Sequence, residues 1–270
     1  MEPLSFLSRR YSQDTLLSLF FLFALQFIHL SVAIADPTLE FPVDEPELWR
    51  EGEFSFVRLQ YDTRYVSRRS MGMWSTDFPA ADINFLKGVT RLTNVKVNQE
   101  PIVLRLDDQQ IFSHPFIYAV EMGRNGGVFF SPQEINNLRE YLLRGGFMLI
   151  DDFWGTYQWD AFYQMFSLVF PDREIIKLDS SHEIFHGFYD VEGAQMIPAL
   201  SNYDNRPEGD VEYASNHAIL DDNGRVMVLI NWNSDMGDGW EHTYHREYPV
   251  KYANLSYQLG INYLIYALTH

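Results

Sequence analysis

Residues 145–155, with the sequence Gly-Gly-Phe-Met-Leu-Ile-Asp-Asp-Phe-Trp-Gly, constrain the fold of this 270-residue chain more than any other stretch. A helical pattern leads into the glycine pair, an apolar strand follows, and Asp151 and Asp152 stand where that strand ends. In α/β proteins, ligands bind beyond the carboxyl ends of the parallel strands. The stretch therefore predicts an α/β fold with candidate functional groups at Asp151 and Asp152.

A strong helix signal precedes this stretch. The sequence Ser-Pro-Gln-Glu at 131–134 places a capping serine before a proline that suits the first helical position. Glu134 follows Ser131 by three residues, which is the spacing of a capping box. Gly145 supplies the left-handed residue that ends many helices. These signals predict a helix between Ser131 and Gly145.

The rest of the chain alternates strand patterns with single helices. The predicted strands cover 54–61, 95–97, 102–106, 115–120, 147–153, 174–178, 211–220 and 226–232, and further helices follow Pro79 and cover 159–170 and 250–268. Asp222-Asn223-Gly224 between the last two strands is a hairpin signal. This order predicts one α/β domain over 54–270, with a mostly parallel sheet between helix layers, a late antiparallel hairpin and a C-terminal helix.

The N-terminus carries the pattern of a secretory signal. An apolar run covers 16–35, follows Arg9 and Arg10, and ends in Ala-Ile-Ala. We predict a signal peptide over 1–35, cleaved after Ala35, and hence a periplasmic or secreted protein. The alternative is an uncleaved anchor, which would be the protein's only membrane contact. Residues 36–53 contain three prolines and predict an extended leader.

Charge and cysteine content exclude several function classes. The formal net charge is −17, and it is unchanged by removal of 1–35 because that segment holds two arginines and two acidic residues. Such a surface repels phosphate backbones, so we expect no nucleic-acid partner. The chain has no cysteine, which excludes disulfides and a thiol nucleophile.

Three residues are candidates for catalysis: Asp151, Asp152 and His182. Strand alternation places the two aspartates on opposite faces, so that one faces a crevice while the other caps a turn, and the alternative is that both stabilise the following loop. His182 and His186 would share a face of a helix, as in some zinc sites, but Gly187 favours a turn. We therefore keep His182 as a candidate and assign His186 a structural role.

The run 231–242 is the densest polar and aromatic segment, and it begins where an apolar strand ends. It lacks the spacing and the distal glutamate of a calcium loop. Two interpretations stay open, a binding loop and a glycine-rich turn with exposed acids. The candidate ligand-binding residues are Trp154, Trp232, Asp235, Trp240 and Glu241.

Several segments resemble an uncharacterised bacterial family, domain of unknown function 4159. They are 56–61, 115–118, 142–152, 182–185, 231–237 and 259–268, within a resemblance that covers about 53–268. The resemblance implies a fold like that of the class I glutamine amidotransferase superfamily, flavodoxin-like in arrangement. The helix, glycine pair and strand also look like those of trehalose-utilisation-type proteins. The true amidotransferases use a cysteine nucleophile that this chain lacks, so their activity does not carry over.

Two hypotheses of function follow. The first is a non-thiol binding or interaction module for a carbohydrate or a cell-envelope partner, because 16% of the residues are aromatic and the protein is acidic. It requires no cofactor. The alternative is a metal-assisted hydrolase that uses Asp151 or Asp152 together with His182 and Asp235, and this alternative alone requires a divalent metal.

Overall fold

The computed structural model describes residues 53–65, 72–202 and 209–270. The predicted signal peptide and the leader up to residue 52 lie outside the described residues. The strands are β1 (Val57–Leu59), β2 (Asp62–Thr63), β3 (Ile102–Leu104), β4 (Phe116–Val120), β5 (Val128–Phe129), β6 (Phe147–Phe153), β7 (Ile176–Lys177), β8 (Ser215–Leu220) and β9 (Val226–Trp232). The helices are α1 (Ala80–Leu92), α2 (Pro132–Leu143), α3 (Gly155–Val169), α4 (Met236–Glu241) and α5 (Val250–Thr269).

Seven of the strands form one sheet in the order β3-β1-β4-β6-β9-β8-β7. The first five are parallel, whereas β8 pairs antiparallel with both β9 and β7. The predicted fold class, a mostly parallel sheet with a late antiparallel hairpin and a C-terminal helix, is confirmed. Strand β6 lies in the middle between β4 and β9, and all seven of its residues are buried.

Helices cover both faces of the sheet, which explains why its central strands are apolar throughout. On one face α1, α4 and α5 pack over Phe116, Phe147 and Leu229. On the other face α2 and α3 pack over Met148 and Ile150. No helix among the described residues is both long enough and apolar enough to cross a membrane.

Helix α2 begins and ends as its sequence predicts. The Ser131 hydroxyl accepts a hydrogen bond from the Glu134 N–H at 3.3 Å, and the Glu134 carboxylate accepts one from the Ser131 N–H at 2.9 Å. Gly145 has φ +108°. Both ends of the helix that leads into β6 are therefore set by local chemistry.

We expect Ser131→Ala to lower the free energy of unfolding by about 1 kcal/mol, because the N–H of Glu134 loses its acceptor. Urea denaturation of both proteins measures the difference. Ser167→Ala, inside α3, is the matched control and should change stability by less than about 0.5 kcal/mol. Equal effects of the two substitutions would contradict a capping role for Ser131.

The structure differs from the predicted elements at several places. The segment predicted as a strand over 95–97 forms only an isolated bridge between Val97 and Phe54, and the strands predicted over 174–178 and 211–220 are shorter than expected. Helix α3 begins at Gly155, four residues earlier than predicted, because side chains from other segments cap it: Asn233 accepts from the Gly155 N–H and Asp210 from the Thr156 N–H, each at 2.8 Å. Helix α4 lies within the run expected to be a loop. Strands β2 and β5 form a small separate ladder that short-range patterns do not indicate.

Candidate cation site

Three aspartates meet at the carboxyl edge of the sheet. Asp152 belongs to the end of β6, Asp235 follows β9, and Asp77 precedes α1. One carboxylate oxygen from each lies within 4.8 Å of the other two. We call Asp77, Asp152 and Asp235 the aspartate cluster. Strand order produces this meeting, because β6 and β9 are adjacent parallel strands and their polar ends leave the sheet together.

Asp152 lies at an irregularity in β6. Its φ is +55°, and the register with β9 shifts between Ile150 and Phe153. The Asp152 N–H donates to the Ser234 carbonyl at 3.0 Å, and Oδ1 accepts from Trp154 Nε1 at 2.8 Å. The side chain is thus held in one orientation, and within the described ranges its Oδ2 atom accepts no hydrogen bond.

Asp235 is held by the start of α4. Its Oδ1 atom accepts from the Asp238 N–H at 2.7 Å, and its own N–H donates to the Ile197 carbonyl at 2.9 Å. The residue is 3% exposed. Oδ2 receives no hydrogen bond from any residue that the structure describes, so Asp235, like Asp152, retains one uncommitted oxygen.

Asp77 is positioned by a buried arginine. Arg58 pairs with Asp82 through two of its nitrogens, and its Nη1 donates to the Thr76 carbonyl at 3.2 Å. Asp77 itself has φ +61°. Its Oδ2 atom is closed to solvent, accepts no hydrogen bond from the described residues, and occupies the space that a Cβ at Gly237 would need, 2.4 Å away.

The electrostatics of the aspartate cluster are unfavourable without a counter-ion. Burial raises the pKa of Asp152 well above its ordinary value, and Glu121 and Asp77 raise it further. Burial likewise raises the pKa of Asp235, with Asp152 adding to the effect. For Asp77, burial and Asp238 raise the pKa, while Arg58 partly offsets them. Oxygen ligands of this kind suit hard divalent cations.

Asp151 has a structural role in this arrangement. Its Oδ2 atom accepts from the Tyr118 hydroxyl at 2.9 Å and from the Met236 and Gly237 N–H groups at 2.8 and 3.2 Å, while Oδ1 accepts from Asn231 at 3.2 Å. Burial raises its pKa to about 6, and these hydrogen bonds limit the rise. Asp151 therefore ties the first turn of α4 to β6.

The structure does not bring His182 to the aspartate cluster. The His182 ring lies beside Tyr266, 6.1 Å between centroids, and Tyr266 bonds the N–H of Val226 at the opposite end of β9. The His182 Nδ1 atom accepts from the Ile184 N–H at 3.2 Å. Both ring nitrogens of His186 form hydrogen bonds, one with the Asp190 carboxylate and one with the Ser180 carbonyl oxygen.

The three tryptophans singled out from sequence are buried. Trp240 is fully enclosed, with its ring 4.4 Å from that of Phe85. Trp232 packs against Trp159 with centroids 5.0 Å apart, and Trp154 donates to Asp152. None of the three offers a ring face for stacking. Glu241 is the last residue of α4, and its side chain is 30% exposed.

Sequence reasoning missed Asp77 and Glu121. Glu121 directly follows β4, and its N–H donates to the carbonyls of Asp151 and Asp152 at 3.1 and 3.2 Å. The rule that singled out Asp151 and Asp152, a carboxylate at a strand end, would also have found Glu121. Asp77 carries no such signal, because a loop brings it to the sheet.

The fold and site define a class: a cysteine-free, three-layer α/β protein with buried carboxylates at the carboxyl edge of its sheet. The chain belongs to the family described as Domain of unknown function (DUF4159), which it matches over residues 55–268. Comparison with curated proteins found no match. The resemblance to the amidotransferase superfamily stays a prediction.

Proposed function

We propose that this protein is a divalent-cation-dependent binding domain. The observation that carries the proposal is the convergence of Asp77, Asp152 and Asp235, whose oxygens lie within 4.8 Å of one another. Two buried carboxylates and a half-buried third repel each other when ionised at such proximity, and a bound cation would convert that repulsion into attraction.

The three aspartates supply only part of a coordination shell. Ca²⁺ takes about six to eight oxygen ligands and Mg²⁺ about six, so water or a ligand must fill the remaining positions. A ligand with hydroxyl or carboxylate oxygens suits these positions. This supports a carbohydrate or an oxygen-rich cell-envelope partner, bound through the cation, since the tryptophans are buried and offer no stacking surface.

A metal-assisted hydrolase is the second candidate, and the position of Glu121 favours it. Glu121 is 1% exposed and ion-paired with Arg124, and it raises the pKa of neighbouring Asp152. A carboxylate beside a metal is a suitable general base for a metal-bound water. This version of the hypothesis assigns no role to His182, and Asp151 serves only to position the first turn of α4.

Cation binding is tested by titrating purified protein, stripped with EDTA, with Mg²⁺, Ca²⁺ and Mn²⁺ in a calorimeter. At a cation concentration of about 100 times Kd we expect about 2.7 kcal/mol of added stability. For a chain of this size that corresponds to a rise in Tm of about 5–10 °C. Asp235→Asn should remove both the binding heat and the rise in Tm.

Asp160→Asn is the matched control, because Asp160 is an exposed carboxylate on α3. It should bind cations as the unsubstituted protein does. Absence of binding to all three cations would overturn the proposal. Two assays separate the candidate functions. The first is a glycan array with and without Ca²⁺, and the second is a panel of ester, phosphoester and glycoside substrates with Mn²⁺. Turnover in the second assay that Glu121→Gln abolishes favours the hydrolase.

We also propose that the protein acts outside the cytoplasm. The support is the apolar run 16–35 and its Ala-Ile-Ala ending. Mass spectrometry of the protein recovered from its native host should give an N-terminus at Asp36. An intact N-terminus on a membrane-bound protein would instead favour the anchor.

A further inference from the structure

A second group of side chains able to bind a metal lies beside the aspartate cluster, on α4 and its C-cap residue His242. Asp238, Glu241 and His242 follow one another at helical spacing, so their side chains share one side of the helix. Each offers one ligand atom, and these atoms lie within 4.8 Å of one another. Asp238 is buried, whereas the side chains of Glu241 and His242 are 30% and 21% exposed, which leaves the group open to solvent.

The distances within this group are those of ligands around a metal. His242 Nε2 lies 3.5 Å from Asp238 Oδ1 and 3.3 Å from Glu241 Oε2. Hydrogen bonds between such charged groups are shorter, about 2.7–2.9 Å. Ligand atoms at about 2.0–2.1 Å from a tetrahedral metal are about 3.3–3.4 Å apart. His242 thus lies within ion-pair distance of both carboxylates, and the three ligand atoms are close enough together to contact one ion.

Asp77 connects this group to the aspartate cluster. The charge of Asp238 is the strongest neighbouring charge acting on Asp77, and Glu241 acts on it too. The uncommitted Oδ2 atom of Asp77 is closed to solvent and lies against Gly237, in the first turn of the helix that carries Asp238 and Glu241. This buried oxygen, with no hydrogen bond from the described residues, is the second observation that points to a ligand.

We infer that the protein holds two divalent cations, one in the aspartate cluster and one between Asp238, Glu241 and His242, with Asp77 placed between them. The inference rests on the proposed function, and it specifies the nature of the site. In the second position the imidazole suits Zn²⁺ and the two carboxylates suit Mn²⁺, so this position is expected to bind a transition metal better than Mg²⁺ or Ca²⁺. Paired cations at a carboxylate-lined site favour substrates that present an oxyanion, such as phosphate esters.

The test measures how many Mn²⁺ ions bind to each purified, untagged chain, by calorimetry and by metal analysis after dialysis. We expect two ions in the unsubstituted protein and one in His242→Gln, or a loss of affinity for the second ion of about tenfold or more. Electron paramagnetic resonance should show a spin-coupled Mn²⁺ pair that His242→Gln converts to an isolated ion. Asp77→Asn should weaken both positions.

His245→Gln is the matched control, because His245 is an exposed histidine next to His242, with ring centroids 5.6 Å apart. It should retain two ions. If the unsubstituted protein binds a single ion, and that ion is retained in His242→Gln but lost in Asp235→Asn, the second position is overturned and the proposed function stands. Two ions that both survive His242→Gln would also overturn it. Absence of bound Mn²⁺ would overturn the second position, and absence of Mg²⁺ and Ca²⁺ binding as well would overturn both proposals. Thermal melts of each variant verify that it is folded.

Discussion

Asp152→Asn is expected to stabilise the metal-free protein while it removes the stabilisation that divalent cations provide. Asparagine keeps the shape of the side chain and the oxygen that accepts from Trp154 Nε1. It replaces a carboxyl group whose ionisation is disfavoured by burial, Glu121 and Asp77. We expect a gain of about 1–2 kcal/mol at neutral pH, the usual size of a stabilising change at a strained functional site.

The gain should depend on pH in a defined direction. Burial and neighbouring carboxylates raise the pKa of Asp152 in the folded state, so the folded protein holds this proton at a pH where the unfolded chain has released it. The folded state therefore loses stability, relative to the unfolded chain, as pH rises from about 4 through the folded-state pKa. The advantage of Asp152→Asn should vanish below about pH 4 and grow toward neutrality.

Urea denaturation in EDTA between pH 4 and pH 8 measures this dependence. Asp160→Asn is the control, because its exposed carboxylate should leave the curve unchanged. A loss of stability in Asp152→Asn at neutral pH without cations would show that the ionised carboxylate supports the fold. This outcome would contradict the hypothesis that the aspartate cluster is unfavourable without a bound cation.

Arg58→Met is expected to cause the largest loss of stability, about 3–5 kcal/mol, because it leaves Asp82 buried without its partner. Both Arg58 and Asp82 have fully buried side chains. The loss corresponds to a fall in Tm of about 6–20 °C. Arg58 also bonds the Thr76 carbonyl at 3.2 Å, so the substitution should displace Asp77 and weaken cation binding.

A double variant separates the buried charge from the loss of packing. Arg58→Met with Asp82→Leu should recover part of the stability, because no uncompensated charge remains, but it should not recover cation affinity. Arg105→Met is the control. Its ion pairs with Asp62 and Glu134 are partly exposed and should contribute less than about 1 kcal/mol. If Arg58→Met and Arg105→Met were equally mild, the buried pair would not support the loop that carries Asp77.

Several elements of the fold can be predicted from signals that lie within a few residues of one another. The capping box at Ser131 and the glycine at 145 set both ends of α2. The apolar run after them is a central strand, and the Asp222-Asn223-Gly224 turn joins an antiparallel pair. Each signal acts through residues close in the chain, so no knowledge of distant segments was needed to interpret it.

Which side chains form the site depends on contacts between segments that are distant in the chain. Asp77 reaches Asp152 and Asp235 because Arg58 holds a loop, and His182 lies near the opposite end of β9. Strand order determines which strand ends are neighbours, and no local periodicity encodes that order. Short-range patterns identified Asp152 and Asp235 near strand ends, and the packing of distant segments added Asp77 to them.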